Sequence, residues 1–192
     1  MSANAVGRPN RCFSHVVDPT LVTRERLCDI YSSVWWPWLI PVCSPFTPHK
    51  HRDDCTSPGK VPIERNWNGK AQERANAGED SSIRLAQLEK HLDAGGNVGL
   101  ALPPGIIVLD ADSVEAAAWL VDRYPDSPFQ RTNSGGHSVF VYDPIRQRIA
   151  ARTKVEIVPG VVVDLRVGGK SQIVVEPSIH ASGALYKWGN PL

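Results

Sequence analysis

The chain of 192 residues carries 21 Lys and Arg against 20 Asp and Glu, with 42% hydrophobic, 21% charged and 7% aromatic side chains. That is the make-up of a globular protein able to bury a core, which excludes disordered and collagen-like chains; with a net charge of +1, any nucleic-acid partner must be met by a local patch. No run approaches the roughly 20 apolar residues of a membrane span, and the most apolar stretch, 34–42, holds Pro37 and Pro41 and follows no basic leader, so no membrane contact or secretory signal is expected and the expected location is the cytoplasm.

In chain order, residues 1–18 lack periodicity and read as a flexible arm ahead of a domain over 19–192. Residues 19–33 have helix-forming composition, with Leu21, Leu27 and Ile30 available for one face. The aromatic stretch 34–42 favours a strand, but its two prolines restrict it to an edge or bent position. Residues 43–60, with Pro45, Pro48, Pro58 and Gly59, read as a long loop. Ile83, Leu85, Leu88 and Leu92 predict a helix over 81–94, with Ser81 or Ser82 as N-cap and Gly95-Gly96 as stop. Two short strands, 97–102 and 105–109, flank Pro103-Pro104, and a second helix is predicted from about 113 to 124. After Pro125 the pattern turns to strands at 136–142, 155–158, 161–166, 172–176 and 184–188. With 15 Gly and 16 Pro, the whole reads as a loop-rich α/β (α+β) protein.

Three motifs carry chemistry. The strand Ile106-Ile107-Val108-Leu109 runs into Asp110 and Asp112, which alternation places on one face. Two adjacent acids repel unless a divalent cation sits between them; alternatively Asp112 is simply the N-cap of the following helix. Ser134-Gly135-Gly136-His137 is a polar glycine turn whose amides can cradle phosphate and which delivers an imidazole; as plain structure it is a hairpin turn with an exposed histidine. Asp164 interrupts a valine run and must be paired, hydrogen-bonded or metal-bound, with Arg166 as one available partner.

The ordered series Asp110/Asp112, Ser134 to His137 and Asp164 resembles the three motifs of the archaeo-eukaryotic primase superfamily in its primase-polymerase branch. Gly59-Lys60-Val61-Pro62 with Trp67, Asn97-Val98-Gly99-Leu100-Ala101, and Pro177-Ser178-Ile179-His180 with Gly183, Tyr186 and Trp188 resemble the same branch. The resemblance covers roughly residues 40–188. It implies an N-terminal α/β lobe joined to a lobe with an RNA-recognition-type (RRM-like) sheet, the active site lying in the cleft between them. It also implies template-directed nucleotidyl transfer, as DNA primase and polymerase, with Asp110, Asp112 and Asp164 as ligands of two Mg2+ or Mn2+ ions. Ser134, Gly135, Gly136 and His137 match the motif that holds the triphosphate, and Arg166 and Lys170 are nearby candidates for further phosphate contacts. The implied partners are a DNA template and primer and nucleoside triphosphates. The resemblance further suggests a monomeric catalytic domain at the front of a longer phage or plasmid replication protein, fused to or associated with a small helical module and a helicase.

Cys43, His49, His51 and Cys55 place four competent ligands within thirteen residues and could hold a structural zinc; free thiols beside solvated histidines are the alternative. Cys12 and Cys28 read as spare thiols. Arg146, Arg148, Arg152 and Lys154, with no intervening acid, form the best candidate for template backbone contact, a solvated hairpin being the alternative. Most of the six tryptophans are expected in the core rather than as base-stacking platforms. Two further functions stay open on sequence alone: a non-catalytic nucleotide- or nucleic-acid-binding module, and a metal-dependent phosphohydrolase or nuclease using the same acids.

Overall fold

The computed structural model describes residues 26–46, 55, 57–78, 81–190 and 192, so the arm at 1–18, the start of the helix at 19–33, Cys12, His49 and His51 lie outside the described residues. The elements run α1 (Leu27–Ile30), a 3-10 turn (Trp36–Trp38), β1 (Leu39–Val42), α2 (Trp67–Ala77), α3 (Ser81–Asp93), β2 (Asn97–Ala101), β3 (Ile106–Ala111), α4 (Val114–Arg123), β4 (Phe129–Arg131), β5 (Gly136–Val141), β6 (Arg152–Val158), β7 (Val161–Val167), β8 (Gln172–Val175) and β9 (Lys187–Asn190). They form two antiparallel sheets, one of order β1-β2-β8 and one of order β6-β7-β3-β5-β4-β9.

The small sheet is buried on both faces. Leu39, Val98, Leu100, Ile173 and Val175 share a core with Leu85, Leu88 and Leu92 of α3, while Ile40, Val42, Ala101 and Val174 pack with Ala71 of α2. Burial on both sides explains why β2 carries no polar alternation beyond its first residue, Asn97. β1 is an edge strand, as its proline requires, and the tryptophans before it form a 3-10 turn. Of the helix expected over 19–33, the described part is one turn, Leu27–Ile30. α3 closes at Gly95, held at φ 85°, but Ser81 and Ser82 lie inside the helix and neither is its N-cap. α2 buries only Ala71, so no apolar stripe announces it in the sequence.

In the larger sheet β3 is central and again buried on both sides. Val108 and Val139 join the core shared with the small sheet, whereas Leu109, Ala111 and Val163 pack beneath Ala116, Ala117 and Leu120 of α4. Of the strands expected from 97 onward, two differ from their sequence-based bounds by three residues at one end, the others by one or two. β6 starts at Arg152, three residues early, and the last strand runs Lys187–Asn190 because 179 and 185 form only an isolated bridge. β4 is three residues long, too short for an alternation to register.

Tyr31 fastens the two sheets together. Its buried hydroxyl donates to the Glu176 carbonyl (2.6 Å) and accepts from Trp188 Nε1 (3.1 Å), while the Glu176 carboxylate accepts the Trp188 backbone N–H (2.6 Å). The described tryptophans pack on the three core clusters, Trp188 with 9% exposure.

Candidate active site

Strand register does most of the assembly. Asp110 of β3 stands directly opposite His137 of β5 on one side and Asp164 of β7 on the other, so three candidate side chains from three motifs share one face. Two carboxylates at directly opposed positions repel, and the repulsion is compensated in place. Arg166 donates to Asp110 Oδ2 (3.0 Å) and to Asp164 Oδ2 (2.9 Å). The other Asp164 oxygen accepts the Lys154 backbone N–H at 2.8 Å, an amide that a bulge in β6, with Lys154 at φ 52°, turns towards it. Burial would raise the Asp110 pKa, but the His137 N–H and the Arg166 guanidinium outweigh it and hold the carboxyl down at about 2.

Asp112 follows on the same face, exposed, and is free of the capping duty the sequence offered it. Ser113 caps α4 instead, its hydroxyl accepting from the Ala116 N–H at 3.1 Å. The turn before β5 is pressed against the end of β3: Ser134 Oγ donates to the Asp112 carbonyl at 3.3 Å, and a Cβ on Gly135 would fall 1.7 Å from the Ala111 carbonyl oxygen. Only glycine permits that approach. A Cβ on Gly136 would likewise meet the Phe129 ring at 2.1 Å.

These side chains line a cavity of about 380 Å3 whose wall includes Asp110, Asp112, Ser134, His137 and Arg166 from the larger sheet's motifs and Gln172 to Val174 from β8. Asp164 is not on the wall and reaches the cavity only through Arg166. Lys170 sits exposed in the β7–β8 turn, outside the lining. Sequence reasoning assigned no role to Lys60, Asn133, His180 or Tyr186, all of which line the cavity. Tyr186 stacks near His137 (ring centroids 6.5 Å apart), its hydroxyl pushed up to about 12 by burial and by the Asp110 charge. His180 is lowered by burial and by Lys60. Lys60, His180 and Tyr186 fall in segments that carried the family resemblance, so a signal existed; Gln130, described below, had none.

The acid pair offers carboxylate oxygens, the donors a hard divalent cation takes, and Arg166 holds one oxygen of each here, so a cation would have to displace that contact. Among the described residues no three His, Cys, Asp or Glu side chains converge into a ready metal-binding group. Of the zinc candidates, Cys43 is a buried core thiol pushed up by burial, its sulfur accepting the Val61 N–H at 3.3 Å, and Cys55 packs beside the same core. Arg146 and Arg148 lie exposed in the connection before β6, Arg146 paired with Asp143 at 3.3 Å, and Arg152 and Lys154 are exposed on β6, the sheet's edge. No helix among the described residues is long and apolar enough to cross a membrane.

Comparison with known proteins adds one match. No curated protein matches the chain, but the family model described as the N-terminal domain of bifunctional DNA primase/polymerases (Prim-Pol) matches residues 30–192. That span takes in every strand of both sheets and the whole wall of the cavity. The chain therefore belongs to the bifunctional DNA primase/polymerase family.

Proposed function

We propose that this chain is a template-directed nucleotidyltransferase that extends a DNA primer from nucleoside triphosphates. The observation that carries the reading is the register that sets Asp110 opposite both Asp164 and His137, with Asp110 and His137 on the cavity wall and Asp164 joined to it through Arg166. Asp110, Asp112 and Asp164 would hold Mg2+ or Mn2+, being hard oxygen donors. Bound there, the cations supply Lewis acidity at the attacking 3′-hydroxyl and at the pyrophosphate leaving group.

The chain's own residues do the positioning. The 134–137 turn offers backbone amides and the His137 N–H to the triphosphate, with Lys60 and Arg166 on the same wall to neutralise it. Lys170 would meet phosphate only from the outer rim. No protein nucleophile is required, since the primer's hydroxyl attacks directly. Arg146, Arg148, Arg152 and Lys154 are exposed at one edge of the larger sheet, where they would follow a template backbone. The inner strand order β7-β3-β5-β4, with α4 between β3 and β4, supports reading that sheet as the RNA-recognition-type lobe of the primase architecture.

The test is extension of a labelled, annealed DNA primer with Mg2+ and with Mn2+. Wild type should lengthen it, and Asp110→Asn or Asp164→Asn should lose at least about a hundredfold in rate, in keeping with several kcal/mol of lost charge stabilisation. Strand cutting without extension would replace this reading with a metal-dependent nuclease.

A further inference from the structure

Gln130 is fully buried on β4, and its side-chain amide makes three hydrogen bonds. Its carbonyl oxygen accepts the Glu176 backbone N–H (2.9 Å), and its amide nitrogen donates to the Val174 carbonyl (2.9 Å) and meets His137 Nδ1 (2.9 Å). The two backbone partners decide which way the amide points. Rotated by half a turn, its oxygen would face the Val174 oxygen and its NH2 would face the Glu176 N–H, leaving both unsatisfied out of reach of water. The NH2 is therefore on the His137 side, and an NH2 can only donate. His137 Nδ1 must accept, which places the ring proton on Nε2, the nitrogen 3.3 Å from Asp110 Oδ1 and facing the cavity.

We propose that Gln130 is a positioning residue that fixes the tautomer and the orientation of His137, presenting at the cavity wall an Nε2–H donor that Asp110 Oδ1 accepts until a phosphate oxygen replaces it. The inference rests on the reading of His137 as a phosphate donor only for its effect on nucleotide binding; the tautomer assignment stands on the hydrogen bonds alone. Because Val174 and Glu176 belong to β8 and the segment just after it, Gln130 also ties the imidazole to the small sheet across the joint between the sheets. A free imidazole divides its proton between two nitrogens and rotates about its side-chain bonds. Here both freedoms are removed before any ligand arrives, so the N–H is oriented in advance of binding.

Two-bond 15N–1H correlation spectra of the full chain labelled at histidine test this without nucleotide, His137 being assigned by its loss in His137→Asn. Wild type should show His137 as the Nε2–H tautomer alone. Gln130→Met, which keeps the side-chain length but has no donor, should show both tautomers and should raise the KM for nucleotide about tenfold, the weight of a hydrogen bond to a charged group, with kcat changed much less. An Nδ1–H tautomer in wild type, or an unmixed Nε2–H tautomer in a folded Gln130→Met, would overturn the proposal. The wild-type spectrum decides the tautomer even if the variant fails to fold. A wild type with the expected tautomer that binds no nucleoside triphosphate would support the role of Gln130 in holding the ring while overturning the assigned function of the cavity.

Discussion

At Asp110 a single carboxylate accepts from Arg166 and from His137 while mostly shielded from solvent. Its pKa is lowered from the ordinary aspartate value of 3.8 to about 2. A depressed carboxylate contributes stability that is complete above its unfolded value and is lost as pH falls through its folded value. Here that is at most about 2 kcal/mol at neutral pH, since the share that a charged His137 would add is absent from a neutral ring. Asp110→Asn should therefore be less stable than wild type above pH 5, with the gap in urea-unfolding free energy closing as pH falls from about 4 towards 2. A gap that stays constant over that window would mean that the pairing with Arg166 and His137 does not stabilise the fold. The residue scale is also where the sequence was most and least informative. Asp110, Asp112, Asp164 and His137 were legible because their order matches the motifs of a known family, whereas each taken singly also had a plain structural reading. Gln130 was illegible: one amide on a three-residue strand has no pattern, and its significance comes from partners at 137, 174 and 176 that only folding brings to it.

At the level of elements, the turn between β4 and β5 is defined by what it cannot contain. Gly135→Ala would drive a methyl carbon into the Ala111 carbonyl, so the turn must lift away from the end of β3 and take Ser134 with it. Gly160→Ala is the control, because its Cβ would meet nothing within 4 Å and the substitution costs only the strain of a left-handed backbone, about 1 kcal/mol. We expect Gly135→Ala to weaken nucleotide binding at least about tenfold by calorimetry, a loss of about 1.4 kcal/mol, and Gly160→Ala to leave it unchanged. Equal effects of the two would show that the turn's closeness to β3 does not matter for binding. The elements that the sequence foretold, among them α3, β2, β3, α4, β5, β7 and β8, carry an apolar periodicity or run. α2 and β4 were missed because one buries a single alanine and the other is too short, and both are held by tertiary contacts instead of by their own pattern.

Across the whole molecule, two sheets from interleaved parts of the chain are joined by a small set of buried polar contacts, of which the Tyr31 hydroxyl is one. Removing it in Tyr31→Phe leaves the Glu176 carbonyl without its hydroxyl donor and Trp188 Nε1 without its acceptor in a dry interior. The expected cost is about 1–3 kcal/mol, read as a lower urea midpoint with an unchanged slope. A midpoint within error of wild type would show that water or a rearranged neighbour satisfies both groups. The two-sheet arrangement itself was not legible from local pattern: β1, β2 and β8 are separated by more than fifty residues at each step, and their pairing is fixed by which faces must be covered.

The burial of β3 on both faces reaches beyond stability to the ways in which this chain can change. Its even positions carry Val108 into one core and Asp110 into the cavity, while Leu109 and Ala111 face α4. Insertion or deletion of one residue in that strand would turn the acid towards α4 and an aliphatic side chain towards the cavity, removing core and chemistry together. Substitution can therefore silence the acids and leave a folded protein, but slippage cannot. A descendant that has lost activity should still show Asp110's position, in register, occupied by something else.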